Sequence, residues 1–190
     1  MSSNIIGKKL KEFREFRRIS REDLTIKSNL NAGQIEKIEE EGVMPSLGHL
    51  IKISRAMGVR IGTFLDDQTQ PGPVITRAEE KKSGVSFSTK DESTREHLNF
   101  FSLAQDKSGR HMEPFIVEIE PSEEPDYKLS THEGEEFIYV LEGSVEINYG
   151  KDIYRINKGD SIYLDSVVEH NVHAGENQPA RILAVVYTPF

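Results

Sequence analysis

Apolar and charged residues alternate along the first part of the chain with the spacing of an amphipathic helix. Between residues 5 and 18, Ile6, Leu10, Phe13 and Phe16 recur every three or four positions, and charged residues fill the positions between them. Residues three and four apart share one face of a helix. The pattern therefore predicts a first helix over residues 5–18 that buries one of its sides.

Hydroxyl and amide side chains mark the starts of three further helices. Such side chains satisfy the free amide groups of a first helical turn, and the residues that offer them are Ser20, Asn31 and Ser46. Glycine and proline within residues 42–45 end the third helix, and apolar residues at 61–65 indicate a fifth. The sequence predicts a compact bundle of five short helices.

The pattern changes in the second part of the chain to short apolar runs that are separated by glycine and other turn residues. Many short strands with such punctuation are typical of a sandwich or a barrel. Residues 67–73 have no periodicity and contain two prolines, so they predict a linker between a domain at 1–66 and a domain at 74–190. The predicted strands cover residues 74–77, 85–89, 100–104, 113–119, 136–141, 144–149, 153–156, 161–164, 169–173 and 181–187.

Charge divides the chain in the same way as periodicity does. The whole chain has a net charge of −8, which argues against a nucleic-acid partner, since duplex affinity comes largely from Lys and Arg. Residues 1–66, however, hold 12 Lys and Arg against 9 Asp and Glu, a balance of +3, and the remainder carries −11. The helical part is therefore the one that could meet a duplex.

Composition excludes several classes of protein. The chain has no cysteine, so disulfides, thiolate metal sites and thiol nucleophiles are absent. No apolar run approaches the roughly 20 residues that a membrane span needs, and the first residues lack the apolar stretch of a secretory signal. We expect a cytoplasmic protein with no membrane partner.

The helical pattern resembles a known DNA-binding family over its whole length. The segment IGKKLKEFREFRRISREDLTIKSNLNAGQIEKIEEEGVMPSLGHLIKISRAMGVRIGTFL is similar to the XRE, or lambda-repressor-like, helix-turn-helix domain. Positions that support this register include Ile19-Ser20, Leu24, Ile35, Pro45-Ser46 and Ala56-Met57-Gly58-Val59. The resemblance implies a five-helix bundle whose third helix enters the major groove of double-stranded DNA.

The resemblance also implies which residues would contact DNA. Arg21 stands where the family usually has Gln, and an arginine there could hold a phosphate or a guanine. In the third helix, Ala32 and Gly33 occupy positions where relatives often carry polar base readers, so base contacts would be few. The implied contact residues are Ser20, Arg21, Lys27, Asn31, Gln34, Lys37 and Ser46.

Acidic residues around the third helix qualify this assignment. The family pairs the position of Glu39 with an arginine of the first helix, here Arg14, which implies a role in holding the fold. Glu36, Glu40 and Glu41 would repel a phosphate backbone. They leave open an alternative in which the bundle binds protein rather than DNA.

Two segments of the second part resemble the motifs of the cupin superfamily, a small antiparallel jelly-roll β-barrel. These segments are STHEGEEFIYVLEGSVEI and KGDSIYLDSVVEHNV. In that family the first motif supplies two His, a Glu and a Gly, and the second supplies another His. The matching positions here are Ser130, His132, Glu136, Gly143 and His170, so Ser130 replaces one His. The second motif also departs from the family pattern at Asp165, Val167 and Ala174.

The cupin resemblance leaves two interpretations of the pocket open. Two imidazoles and one carboxylate, His132, Glu136 and His170, could bind a divalent ion such as Zn, Fe, Mn or Ni, with Ser130 or water completing the set. Regulator-type cupins, many of which look metal-free, use the same positions as a polar pocket. We therefore expect no required metal, an effector pocket that adds Ser130 and Tyr163, and a solvent-facing His173.

The order of the two domains resembles bacterial transcriptional regulators in which a cupin senses a small molecule. The resemblance implies a non-enzymatic homodimer that binds double-stranded DNA and a small-molecule effector. The sequence leaves two alternative functions open. One is a metal-dependent cupin enzyme of the oxygenase or isomerase type with an accessory helix-turn-helix, and the other is a protein-interaction adaptor that uses the acidic third helix.

Overall fold

The chain divides into two compact units, one ending at Asp66 and one beginning at Asp67. A computed structural model describes residues 5–65, 73–78, 85–86, 98–107, 109–121, 129–176 and 178–189. Most of the predicted linker and residues 87–89 of the predicted second strand lie outside these ranges. None of the helices within them has the length and apolar character needed to span a membrane.

The first unit is helical and follows the predicted order. After the third helix, five residues continue as a π-helix, which the sequence did not predict. The elements are α1 (Ile5–Phe16), α2 (Arg21–Ser28), α3 (Ala32–Glu36), the π-helix (Lys37–Glu41), α4 (Leu47–Ala56) and α5 (Gly62–Leu65). Their fully buried side chains include Leu10, Leu24, Ile35, Leu50, Ile53 and Phe64.

Helix α1 packs directly onto the π-helix. A Cβ atom at Gly7 would lie 2.1 Å from the backbone oxygen of Ile38, so only glycine allows this approach. The helix ends at Phe16, two residues before the predicted end, because Arg18 adopts a left-handed conformation with φ 55°. Phe16 was predicted to lie on the buried face but is 82% exposed, since the last turn extends beyond the core.

The three predicted caps are confirmed. The Ser20 hydroxyl accepts from the Asp23 amide at 2.9 Å, and the Ser46 hydroxyl accepts from the His49 amide at 3.2 Å. Asn31 accepts from the Gln34 amide at 2.8 Å, and the Gln34 side chain accepts in return from the Asn31 amide at 3.0 Å. This reciprocal box fixes the start of α3 at Asn31.

The second unit consists of two antiparallel sheets, which confirms the predicted all-β fold class. One sheet has the strand order β1-β2-β3-β9-β4-β7 and the other β6-β5-β8 within the described residues. The strands are β1 (Val85–Ser86), β2 (Leu98–Ser102), β3 (Met112–Ile119), β4 (Glu135–Glu142), β5 (Ser144–Tyr149), β6 (Asp152–Asn157), β7 (Ser161–Asp165), β8 (His170–Ala174) and β9 (Ala180–Tyr187).

Side chains on alternate positions of the larger sheet form the core of the second unit. Ile138 and Val140 of β4 are buried, as their shared parity predicts, and Phe115, Val117 and Val186 of the neighbouring strands are buried with them. The predicted strand at residues 74–77 is wrong, because the backbone there is irregular. Its short apolar run pairs with no described strand.

Candidate functional site

The turn between α2 and α3 places the predicted DNA-contact residues on the surface of the helical unit. Asn29 adopts a left-handed conformation at the end of α2, so α3 begins after only two more residues. Ser20, Lys27, Asn31 and Lys37 are exposed, while Arg21, Gln34 and Ser46 are half-buried. Ser20, Asn31 and Ser46 also use their side-chain oxygens as helix caps.

A chain of ion pairs connects α1, α2 and the π-helix. Arg14 binds Glu39 through two hydrogen bonds, from Nε at 2.7 Å and from Nη2 at 3.0 Å, which confirms the predicted pair. Arg21 donates from Nε to the second Glu39 oxygen at 2.8 Å and from Nη2 to Glu40. Lys11 lies 3.1 Å from the same Glu40 carboxylate.

These contacts neutralise much of the charge on the surface that α1, α2 and the π-helix share. Hydrogen bonds from Lys11 and Arg21 lower the pKa of Glu40, and the hydrogen bond to Glu39 raises the pKa of Arg21. Arg21 is therefore held as a cation between two carboxylates. A DNA phosphate would have to compete with Glu40 for this guanidinium.

The second unit brings together His132, Glu136 and His170 from three places in the sequence. His132 precedes β4, Glu136 points inward from β4, and His170 begins β8 of the other sheet. His132 Nε2 lies 2.8 Å from Glu136 Oε1, and His170 Nε2 lies 3.5 Å from the same oxygen. The two imidazole rings meet edge to face at 5.4 Å, and all three residues are buried.

Backbone carbonyl groups fix the tautomers of both histidines. His132 Nδ1 lies 3.1 Å from the oxygen of Glu133, and His170 Nδ1 lies 2.8 Å from the oxygen of Val168. A carbonyl oxygen only accepts, so each Nδ1 carries a proton. The Nε2 atoms face the Glu136 carboxylate, where a bare lone pair would be repelled. A proton or a metal cation between Nε2 and Glu136 removes this repulsion.

The same contacts determine the ionisation of the cluster. Burial alone would raise the pKa of Glu136, but the hydrogen bonds from His132 and His170 outweigh burial and lower the pKa to about 2. Burial lowers the pKa of His170, yet the hydrogen bond to Glu136 and its charge outweigh burial and raise the pKa above the usual value. Without a metal, the cluster therefore favours an ionised carboxylate beside a protonated imidazole.

The donor set fits a divalent metal ion. One ligand atom from each of the three residues lies within 4.8 Å of the other two. Metal-bound histidines generally donate their second ring nitrogen to a carbonyl or carboxylate, as both Nδ1 atoms do here. Two His and one carboxylate form a common set for Zn and for non-haem Fe(II).

The structure does not bring every predicted pocket residue to this cluster. Tyr163 is wrong as a pocket residue, because its side chain is 63% exposed and its hydroxyl donates to Glu135 on the outer side of the sheet. The adjacent Leu164 takes the inward position of β7 instead. Ser130 is exposed, and its backbone pairs with that of His170, so it lies beside the cluster.

Two further residues differ from what the sequence suggested. The prediction of a solvent-facing His173 is wrong, because both faces of β8 are covered and His173 is buried. Ser166 was missed, although it is fully buried and its hydroxyl lies 3.4 Å from Glu136 Oε1. Its backbone oxygen accepts from the His132 amide at 3.0 Å, so Ser166 helps to position both residues. A serine in a turn gives no sequence signal for this role.

Comparison with protein families identifies both parts of the chain. Residues 9–70 match the family model of the Cro/C1-type HTH DNA-binding domain, and residues 115–186 match that of the cupin domain. Both resemblances stated from the sequence are thereby confirmed. No protein of curated function matches the chain.

Solved structures of similar fold extend over almost the whole chain. An HTH_3 family transcriptional regulator from Vibrio cholerae has a TM-score of 0.73 at 18% identity, covering 99% of this chain and 97% of its own. FeII HppE has a TM-score of 0.52 at 21% identity, covering 98% and 100%. Hydroxypropylphosphonic acid epoxidase from S. wedmorenis has a TM-score of 0.50 at 21% identity, covering 97% and 98%. These likenesses show a shared fold.

Proposed function

We propose that this chain, which joins a Cro/C1-type helix-turn-helix domain to a cupin domain, is a sequence-specific transcriptional regulator whose cupin barrel binds a small-molecule effector. The match of residues 9–70 to a DNA-binding domain family carries this proposal. In this proposal the protein acts as a homodimer on double-stranded DNA in the bacterial cytoplasm.

The exposed surface around α3 supports contact with a duplex. Lys27, Asn31 and Lys37 are exposed around α3 and the turn that precedes it, and Gln34 is half-buried beside them. Lysines supply phosphate contacts, and the Gln34 amide can reach a base edge from the groove. The Glu40 carboxylate beside Arg21 opposes phosphate binding, so we expect modest, salt-sensitive affinity.

The buried cluster in the barrel supports effector binding. His132, Glu136 and His170 form a polar, charged group buried in the barrel, and the Ser166 hydroxyl lies against the carboxylate from one side. Such convergent polar groups fix the orientation of small ligands. When bound at this cluster, a divalent ion would supply an electrophile for an anionic or carbonyl group of the ligand.

Selection of duplexes from a genomic pool, followed by affinity measurements at several salt concentrations, tests the DNA-binding part. The double variant Arg21→Ala with Lys37→Ala is expected to bind the selected duplex at least about 10-fold more weakly and with a smaller salt slope. The control Lys151→Ala with Lys158→Ala removes the same charge from exposed barrel positions and should leave affinity within about twofold. Unchanged binding by the first variant would overturn the groove assignment.

A thermal-shift screen with small polar and anionic molecules tests the effector part. A molecule that stabilises the wild-type chain but not Glu136→Ala would mark the cluster as the binding site. The two affinities must then be coupled reciprocally, so the same molecule should change duplex affinity by the factor by which the duplex changes effector affinity. A stabilising molecule with no effect on duplex affinity would contradict a sensor role.

A metal-dependent cupin enzyme is a second candidate function. The observation that favours it is the buried set of two His and one carboxylate, which suits non-haem Fe(II). The test is oxygen uptake by Fe(II)-loaded protein with small phosphonates and hydroxy acids, compared with Glu136→Ala. Uptake that requires both Fe(II) and Glu136 would support an enzyme, and equal traces for the two proteins would exclude this activity with those substrates.

A further inference from the structure

The outer face of the six-stranded sheet carries an apolar surface that the barrel core does not use. Strand register aligns side chains of β3, β9, β4 and β7 in rows across this face. One row is Pro114, Val185, Phe137 and Tyr163, and the adjacent row is Ile116, Leu183, Tyr139 and Ser161. Two neighbouring rows therefore present apolar and aromatic side chains on β3, β9 and β4, and Ser161 on β7 is the one polar residue in them.

Charged residues occur only at the borders of this outer sheet face, within the described strands. The next row on one side holds Glu118 and Arg181, and the row on the other side holds Met112 and Tyr187 followed by Glu135 and Asp165. An apolar centre with a polar rim is the usual anatomy of a protein interface. A surface intended only for solvent would carry polar residues at the centre too.

The area of the face is large enough for a stable pair of barrels. Met112, Tyr139, Tyr163 and Tyr187 are between 38% and 63% exposed. With 150–250 Å² per large side chain, these four expose about 400 Å² per copy. The partly exposed residues of the two rows bring the pair to about 1,200 Å², which is the lower limit of a standard specific interface.

A second copy of the same chain is the partner that fits this face. A two-fold axis would place the two uncharged centres against each other and keep the acidic rims at the edge of the contact. The second unit carries a balance of −11, so pairing through this uncharged centre avoids the like-charge contacts that the acidic parts of the barrel surface would make. Resting on the homodimer of the proposed function, we propose that its two copies pair through the outer faces of β3, β9, β4 and β7.

Sedimentation equilibrium of the full chain without DNA tests this interface directly. The wild-type chain is expected to be a dimer at micromolar concentration. Tyr139→Glu with Tyr163→Glu should raise the dimer dissociation constant at least 100-fold, because carboxylates would be buried at the contact. The control Ile153→Glu with Tyr154→Glu changes exposed apolar residues of the other sheet and should remain dimeric.

A second measurement keeps the test valid if the double variant fails to fold. The chain has no cysteine, so Tyr163→Cys gives one thiol whose alkylation rate can be followed alone. The rate should fall several-fold as protein concentration rises into the dimeric range, while that of Tyr154→Cys stays constant. A monomeric wild type, a dimer broken by the control alone, or equal behaviour of both thiols would each overturn the proposal. None of these outcomes depends on DNA binding.

Discussion

Each unit of the molecule buries one carboxylate between two nitrogen-bearing side chains, and the two clusters behave differently. In the helical unit Glu39 lies between Arg14 and Arg21, and in the barrel Glu136 lies between His132 and His170. Arginine stays charged at any pH that a protein survives, so the first cluster is permanently satisfied. Histidine can exchange its proton for a metal ion, so the second cluster can respond to its surroundings.

The largest expected effect is on the stability of the helical unit, which should depend on the buried Glu39 far more than on the exposed Glu40. Glu39→Gln removes the two close hydrogen bonds of the buried Arg14 guanidinium to a carboxylate and leaves it the more distant, exposed Glu15 at 3.7 Å, so it should lower the free energy of unfolding of the helical unit by about 3–5 kcal/mol. Glu40→Gln removes the exposed pairs with Lys11 and Arg21 and should lower the free energy of unfolding much less. Urea unfolding followed by helical circular dichroism measures both. Equal losses would show that Glu39 is no more structural than Glu40.

The matching change in the barrel should weaken the binding of a metal ion at the cluster. Glu136→Gln replaces the anionic ligand, so we expect the affinity for Zn²⁺ or Fe²⁺ to fall about 100-fold or more, equivalent to about 2.7 kcal/mol. Glu146→Gln changes a carboxylate that binds Arg155 elsewhere on the barrel and serves as control. Metal content after dialysis against a buffered metal supply measures the difference. Equal metal content in the two variants would exclude the cluster as the metal site.

The pH dependence of stability should differ between the two clusters. In metal-free protein the raised pKa of His170 contributes stability that is complete below pH of about 6.5 and is lost as pH rises through the raised value. The lowered pKa of Glu136 contributes stability that is lost only as pH falls from about 4.5 towards 2.

Unfolding of the barrel at a series of pH values checks this expectation. The metal-free barrel should be more stable at pH 6 than at pH 8.5, and Glu136→Gln should flatten that difference. The helical unit should show no comparable change, because Glu39 is paired with arginines. A barrel whose stability rises with pH over this range would contradict the assigned protonation.

The smallest expected effect is on the affinity for a DNA duplex. Glu40→Gln releases one contact of Arg21 and should strengthen binding to a selected duplex by a few-fold, with a steeper salt dependence. Glu41→Gln removes the same charge one residue further along and serves as control. Fluorescence anisotropy titrations compare the two. Equal gains would mean that overall charge, rather than the release of Arg21, sets the affinity.

The sequence predicted those features that depend on local spacing. Helix starts at Ser20, Asn31 and Ser46 follow from the caps, and the inward parity of Glu136 with Ile138 follows from strand alternation. Features that depend on tertiary packing could not be predicted from local spacing. Alternation cannot tell whether the second face of β8 is covered, so the burial of His173 was missed.

Residues that act through a contact between distant segments also escaped prediction. Ser166 reaches Glu136 across 30 positions of the chain, and Arg21 of α2 reaches Glu40 of the π-helix across 19 positions. A π-helix has no simple sequence pattern. The prediction for Tyr163 was wrong because β7 turns Leu164 inward, which leaves the Tyr163 hydroxyl on the outer side beside Glu135, 28 positions away.

Because carbonyl groups hold the Nδ1 protons of His132 and His170, a metal ion that binds this cluster would have to use the Nε2 atoms. Below the raised pKa of His170, an ion that binds must displace the proton from Nε2 of His170, since the Nδ1 proton is held by the Val168 carbonyl group. Protons therefore compete with the metal ion for the ring nitrogen, and a lower pH should weaken metal binding. The heat of metal binding would then vary with the ionisation enthalpy of the buffer, and its slope would count the protons released.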